Sequence, residues 1–240
     1  MWDITLGDGT FGNSAAVPGD VVGLSAGVAA IDAGQAHTCA LTAGGGVKCW
    51  GNNWHGQIGD GTGPTDAPIP TPADVVGLDS GVAAVTGGGR HNCALMTTGT
   101  VKCWGWNVLG QLGDGTTTDR NTPVDVLDIG GQPLSGVVSI SAGWSHTCVV
   151  TTGGGAKCWG LNHAGQLGDG TSGSGKQSVA PVDVVGLQSG VSAVTGGGYH
   201  TCALTRAGGV KCWGSNDGGL LGFGELFPPP TALRRWTRGD

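Results

Sequence analysis

Charge is scarce in this sequence: Lys, Arg, Asp and Glu make up 12% of 240 residues, and Lys plus Arg number only 11. Nucleic acids and anionic membrane surfaces select basic patches, so a chain of formal net charge −6 is expected to bind neither. Apolar runs are short, and none approaches the roughly 18 residues that cross a bilayer. Near the N-terminus no charged stretch leads into an apolar one, so a secretory signal is expected to lie outside this sequence. Helical periodicity is absent, which argues against helical domains. Aromatics are few, at 5%, and nine of the thirteen are Trp. Glycine, by contrast, is abundant, with 51 residues. It follows no three-residue period, which excludes collagen. A hydrophobic content of 38% with little net charge argues against disorder. The glycines are therefore expected to serve turns between many short strands.

Internal repetition organises the chain. HTCALTAGGGVKCWGNN (37–53) recurs as HNCALMTTGTVKCWGWN (91–107), HTCVVTTGGGAKCWGLN (146–162) and HTCALTRAGGVKCWGSN (200–216). His37, His91, His146 and His200 are thus 54, 55 and 54 residues apart. GQIGDGT (56–62) and GQLGDGT (110–116, 165–171) follow the first three cores, and the fourth is followed by the degraded GLLGFGE (219–225). An SGV-type entry precedes each core. Within a unit, the Cys-Ala-Leu and Val-Lys-Cys-Trp stretches alternate about a glycine turn, which signals a hairpin. Four short strands in a unit of this length predict an all-β fold, a β-propeller of about 54-residue blades.

The repeated G-x-x-H-T-C-A-L-T-x-x-G-x-V-K-C-W-G-x-N-x-x-G-Q-L-G-D-G-T resembles the repeat of the regulator-of-chromosome-condensation family, in the cysteine-bearing form typical of bacterial members. The resemblance covers about residues 20–224 and implies a propeller, usually of seven blades. This chain departs from that number, with four repeat cores plus a terminal half-unit. We divide it into a half-repeat at 1–26 able to complete the last blade, repeats at 27–81, 82–136 and 137–190, and a partial repeat at 191–225. Residues 226–240 form a non-repeat tail expected to be peripheral. A four-blade ring, an open array, pairing between chains and a fragment of a longer protein all remain open.

Eight cysteines form four pairs, Cys39/Cys49, Cys93/Cys103, Cys148/Cys158 and Cys202/Cys212, each centred on a hairpin turn. Facing positions of this kind bring Cα atoms to about 4.5–5.5 Å, within disulfide range. Four hairpin disulfides are the preferred reading, and they imply an oxidising compartment outside the cell or at its surface. The rival readings are free thiols and zinc, the latter with His37 beside Cys39 and Cys49. It needs a fourth ligand, for which His55 and His163 serve in two repeats only.

The histidine that recurs once per repeat reads as a blade-stabilising hydrogen bonder, and no triad or carboxylate pair stands out; no enzyme activity and no cofactor are expected. Asp8, Asp60, Asp114 and Asp169 read as turn formers. Trp50, Trp104, Trp159 and Trp213 read as packing between blades, and the repeated Lys as solvated. The Pro- and Thr-rich segments 63–73 and 116–125 read as surface linkers with little chemistry. Variation concentrates just before the His and just after the Trp-Gly, which makes Trp54, Arg90, Trp106, Trp144 and Tyr199 the candidate binding residues. The expected function is a secreted or cell-surface module that binds a protein or surface polymer, without membrane insertion. Two alternatives are a subunit that self-associates head to tail through its half-repeats, and an inhibitor similar to β-lactamase inhibitory propellers, which resemblance also suggests. The exchange-factor role of the family's founding member finds no matching residues here.

Overall fold

A computed structural model describes residues 6–12, 14–63 and 67–222. The chain is all-β and builds four antiparallel sheets, one per repeat. Blade 1 is β1 (Val28–Ala33), β2 (His37–Thr42), β3 (Val47–Gly51) and β4 (Ile69–Asp74). Blade 2 is β5 (Val82–Gly87), β6 (His91–Met96), β7 (Val101–Gly105) and β8 (Arg120–Asp125). Blade 3 is β9 (Val137–Ala142), β10 (His146–Thr151), β11 (Ala156–Leu161) and β12 (Gln177–Asp183). Blade 4 holds three strands among the described residues, β13 (Val191–Gly196), β14 (His200–Thr205) and β15 (Val210–Gly214).

Each strand pairs with its sequence neighbour, so each blade is a meander running from an inner to an outer strand. The two middle strands carry the disulfides. Cys39 opposes Cys49, Cys93 opposes Cys103, Cys148 opposes Cys158 and Cys202 opposes Cys212, all four bonded with Cα atoms 4.1 Å apart. That separation is slightly shorter than the sequence suggests. Among the described residues no group of three or more His, Cys, Asp or Glu is arranged to hold a metal. The segments read as linkers prove to hold all of the outer strand β8 and all of β4 but its last residue, Asp74. Their prolines hid them, yet an outermost strand is where a sheet tolerates residues that cannot donate to the ladder.

The repeated Lys is likewise not simply solvated. It reaches from the third strand to an Asp at the end of the fourth: Lys48 to Asp74 at 2.6 Å, Lys102 to Asp125 at 2.7 Å and Lys157 to Asp183 at 2.6 Å.

The core lies between blades. One cluster joins Leu41, Val47, Ile58, Val75 and Leu78 of the first repeat to Val82, Ala94 and Trp104 of the second. Trp104 and Trp159 are fully buried, and truncation of a side chain of this size costs about 3–5 kcal/mol. Each indole N–H donates to a carbonyl of the preceding repeat: Trp104 to Gln57 at 3.0 Å, Trp159 to Gln111 and Trp213 to Gln166 at 2.9 Å. The indole edge also meets a glycine of that repeat. At Gly113, with φ +69°, a Cβ would stand 2.8 Å from Trp159 Nε1, so position and backbone both demand glycine.

The same interfaces hold the histidines. His91 Nε2 lies 2.9 Å from Thr147 Oγ1, whose hydroxyl donates to the Gln111 carbonyl, and His146 repeats the arrangement with Thr201 and Gln166. The hydroxyl's proton is committed, so Nε2 is the donor and carries the hydrogen. His37 reaches Asn92 at 2.8 Å, and Asn92 donates to Gln57.

β1 packs on β5, β5 on β9 and β9 on β13, so the blades form an arc, and β13 does not pack on β1 in the same manner. The segment around Gly7 and Gly9 lies against blade 1: a Cβ on Gly7 would meet Trp50 Nε1 at 2.7 Å, and Gly9 N–H donates to Pro70 O. Residues 223–240, with the tail expected to be peripheral, lie outside the described residues.

Candidate protein-binding rim

In a four-stranded meander the first and third connections lie at the same end of the sheet. The residues before each His occupy the first connection and those after each Trp-Gly the third, so the two variable sets share one rim. The cysteine hairpins and the Lys–Asp pairs lie toward the opposite end.

The third connection is rigid because repeated amides brace it. In repeat 1, Asn52 Oδ1 accepts from Trp54 N–H at 3.2 Å and Gln57 Oε1 from His55 N–H at 2.9 Å, while Asn53 Oδ1 accepts from Ile58 N–H. Asp60 closes the following turn by accepting from both the N–H and the hydroxyl of Thr62. Asp114 and Asp169 repeat this with Thr116 and Thr171, as Asp8 does with Thr10. A framework of this kind holds Trp54 and His55 half-buried at the rim.

Two clusters form there. In the first, His55 Nδ1 lies 2.9 Å from Asp119 Oδ2, and His55 Nε2 lies 3.2 Å from Arg90 Nη1. A guanidinium only donates, so Nε2 accepts and the ring proton sits on Nδ1, facing the carboxylate. Trp106 leans on the same imidazole with ring centroids 5.8 Å apart. Both ring nitrogens are thereby engaged, which suits His55 to positioning Arg90 rather than to proton transfer.

In the second cluster, Trp144 stacks on Tyr199 with centroids 5.7 Å apart and planes 12° from parallel, and His163 meets Tyr199 edge-on at 4.8 Å. Trp144 is 42% exposed and Tyr199 37% exposed. The clusters adjoin, because the Trp144 indole lies over Gly89, beside Arg90. A Cβ on Gly89 would stand 2.1 Å from that ring, and Gly89 N–H donates to Trp144 O at 2.9 Å.

The structure thus brings Arg90 and Trp106 together on His55, and Trp144 against Tyr199. Trp54 shares the rim with them and is anchored there through its backbone N–H on Asn52. Sequence reasoning missed Asp119, which sits in a segment read as a linker. Its signal was faint: an acidic residue where a repeat with His after the Trp-Gly needs a partner.

The surface combines an exposed aromatic stack with a cation braced by an Asp–His pair. It offers flat apolar area with a directional donor, the residue types that anchor protein interfaces.

The regulator of chromosome condensation (RCC1) repeat matches this chain at residues 28–57, 82–111, 137–166 and 191–220, and in a second form at 98–150 and 158–204. Ultraviolet-B receptor UVR8 of Arabidopsis thaliana is 34% identical over 197 residues, which are 81% of this chain and 43% of that protein. Human WBSCR16 superposes with a TM-score of 0.66 at 26% identity, covering 78% of this chain and 47% of that one. Yeast RCC1 (Prp20), in its structure bound to Kap60, gives a TM-score of 0.68 at 22% identity, covering 83% of this chain and 46% of that one. The chain spans less than half the length of each.

Proposed function

Because this chain belongs to the regulator of chromosome condensation (RCC1) repeat family, we propose that it is a non-catalytic, protein-binding propeller module whose contact surface is the rim bearing Trp54, Arg90, Trp106, Trp144 and Tyr199. The observation that carries this reading is the exposed Trp144–Tyr199 stack beside the braced Arg90. Trp, Tyr and Arg are the residue types enriched among the side chains that carry most of the energy of protein interfaces. Protein binding agrees with the yeast RCC1 (Prp20) structure, which was solved with Kap60. Four disulfides support an oxidising, extracellular setting, since such bonds persist poorly against cytosolic thiols.

The test is affinity capture from a surface or culture-medium extract of the source cells. Wild type is compared with Trp144→Ala/Tyr199→Ala and with Ile129→Ala, which alters a 90% exposed residue away from the rim. A protein retained by wild type and Ile129→Ala but lost from the double variant, at unchanged melting temperature, is the expected result. The same proteins retained by all three would exclude the rim as the contact surface.

A further inference from the structure

Three neighbouring blades place three different chemistries at one spot on the rim. The connection between first and second strands carries Arg90 in blade 2, Trp144 in blade 3 and Tyr199 in blade 4. These connections are zipped together through their backbones. Gln35 N–H donates to Gly89 O at 3.3 Å, Gly89 N–H to Trp144 O at 2.9 Å and Trp144 N–H to Gly197 O at 3.1 Å. With those N–H groups committed to the blade joints, the rim reads a partner through its side chains and not by adding a strand.

The same joints fix the side chains before any partner arrives. Trp144 stands two residues before its blade's His, and the flanking blades carry Gly89 and Gly198 at that position. A Cβ on Gly89 would stand 2.1 Å from the indole and one on Gly198 3.8 Å from it, so the ring lies across both neighbours. Glycine at 89 is what leaves it room. Tyr199 stacks on the indole, and His163 meets Tyr199 edge-on. On the blade 2 side Arg90 is oriented by His55, and His55 by Asp119. Asp119 accepts from His55 through Oδ2 and from Asn107 N–H through Oδ1 at 2.7 Å. The acceptors of this cluster are thus already used, and what it adds to a contact is the Arg90 cation, whose planar fork matches a carboxylate. Side chains held this way lose little freedom on binding.

We infer, resting on the rim as the contact surface, that the partner presents an extended acidic segment. Its carboxylate pairs with Arg90, and an apolar side chain two or three residues away covers the Trp144–Tyr199 stack. Charge complementarity selects the carboxylate, and the exposed aromatic stack selects the apolar side chain. The spacing follows from Gly89. The indole lies over that residue, and Arg90 follows it directly, about 3.8 Å along the chain. In an extended segment residues i and i+2 leave the same side about 6.5–7 Å apart, which suits the step from the indole to a guanidinium beyond the Arg90 backbone. A side chain next to the acid would point away from the rim. Single-stranded nucleic acid also offers an anion beside a stacking ring. A chain with 17 acidic and 11 basic residues, however, repels a polyanion.

The experiment probes the oxidised 240-residue chain with an array of short Gly/Ser peptides. Each carries one Glu and one Trp, Leu or Pro at increasing separation, in both orders, with matched sets in which Gln or Lys replaces Glu. Fluorescence polarisation then gives Kd for the strongest binders. Glu peptides with a separation of two or three residues are expected to bind tightest, roughly 5–10-fold tighter than their Gln counterparts. Arg90→Gln, which keeps a donor for His55, should erase the preference for Glu over Gln and leave the preference among apolar residues. Arg90→Lys should retain the preference for Glu, and Trp144→Ala should weaken Glu and Gln peptides alike, all three variants melting as wild type does. Four results would each overturn the inference: no peptide bound, Glu and Gln bound equally, a Glu preference that survives Arg90→Gln, or an oligothymidine bound more tightly than any Glu peptide. If one of these occurs while Trp144→Ala/Tyr199→Ala still loses its captured protein, the rim remains the contact surface and only the acidic segment is excluded. Capture indifferent to that double variant would instead remove the rim itself.

Discussion

Acid removes stability from this protein in a window set by three buried histidines. Burial is the main cause that lowers them, His37 and His146 to about 4 and His91 to about 3, the last also through its neighbours His37 and His146. The geometry explains why. Nε2 of each ring already donates to the next repeat, and Nδ1 is buried with no partner. Protonation would therefore place a charged N–H against no acceptor. In the unfolded chain each imidazole titrates near 6.5. Folded values lie below unfolded ones, so between about pH 6.5 and pH 4 the unfolded state binds three protons that the native state refuses. The contribution is complete above about pH 6.5 and is lost as the pH falls toward the folded values. Three protons at 1.36 kcal/mol per unit give a slope of about 4 kcal/mol per pH unit, or roughly 3–4 kcal/mol between pH 6 and pH 5. Against a usual total of about 5–15 kcal/mol this is large. Asp8 is held below the ordinary carboxylate value by hydrogen bonds from Thr10. For Asp114 and Asp169, burial raises the value, and hydrogen bonds led by Thr116 and Thr171 outweigh it. Their contribution is present above about 3.8 and is lost only below it, outside the histidine window. The assay is urea unfolding followed by Trp fluorescence from pH 7 to pH 4.5 with disulfides intact. His91→Gln should remove about one proton from the slope. A slope under one proton between pH 6 and pH 5 would refute the buried-histidine account.

Replacing Cys148 and Cys158 together by Ser opens a loop of ten residues and lowers stability by about 2.7 kcal/mol on chain-entropy grounds, read from the urea midpoint. Gly113→Ala forces a Cβ against Trp159 at a left-handed φ and lowers stability by about 2 kcal/mol or more. That corresponds to a Tm drop of roughly 4–8 °C in a calorimetric scan; an unchanged Tm would mean that the indole is not held as the structure has it.

Features that recur in every repeat were legible in the sequence. The cysteine register followed from symmetry about a glycine turn, and the inter-blade Trp from its place on the face opposite the cysteines. Features that depend on two distant segments were harder to read. Lys48 reads as solvated in the sequence because its partner Asp74 lies 26 residues on, directly after a Pro-containing stretch that looks like a linker. The tetrad Val-Val-Gly-Leu follows such an Asp at Asp74 and Asp183, where it marks the end of an outer strand, and the same tetrad follows Asp20, where no strand forms. Asp119 escaped for a different reason. It occurs once, and recurrence gives no weight to a single residue.

The repeat framework and the rim therefore differ in what fixes them. Framework positions are over-determined: Trp159 is fixed by burial, by a hydrogen bond to Gln111 and by the glycine it covers, so three independent constraints select one side chain. Rim positions are held only from below. Amides such as Asn52 and Gln57 fix the backbone of Trp54 and His55 but leave the outward chemistry free to vary. That freedom explains why the four repeats agree on how to fold and differ in Arg90, Trp144 and Tyr199.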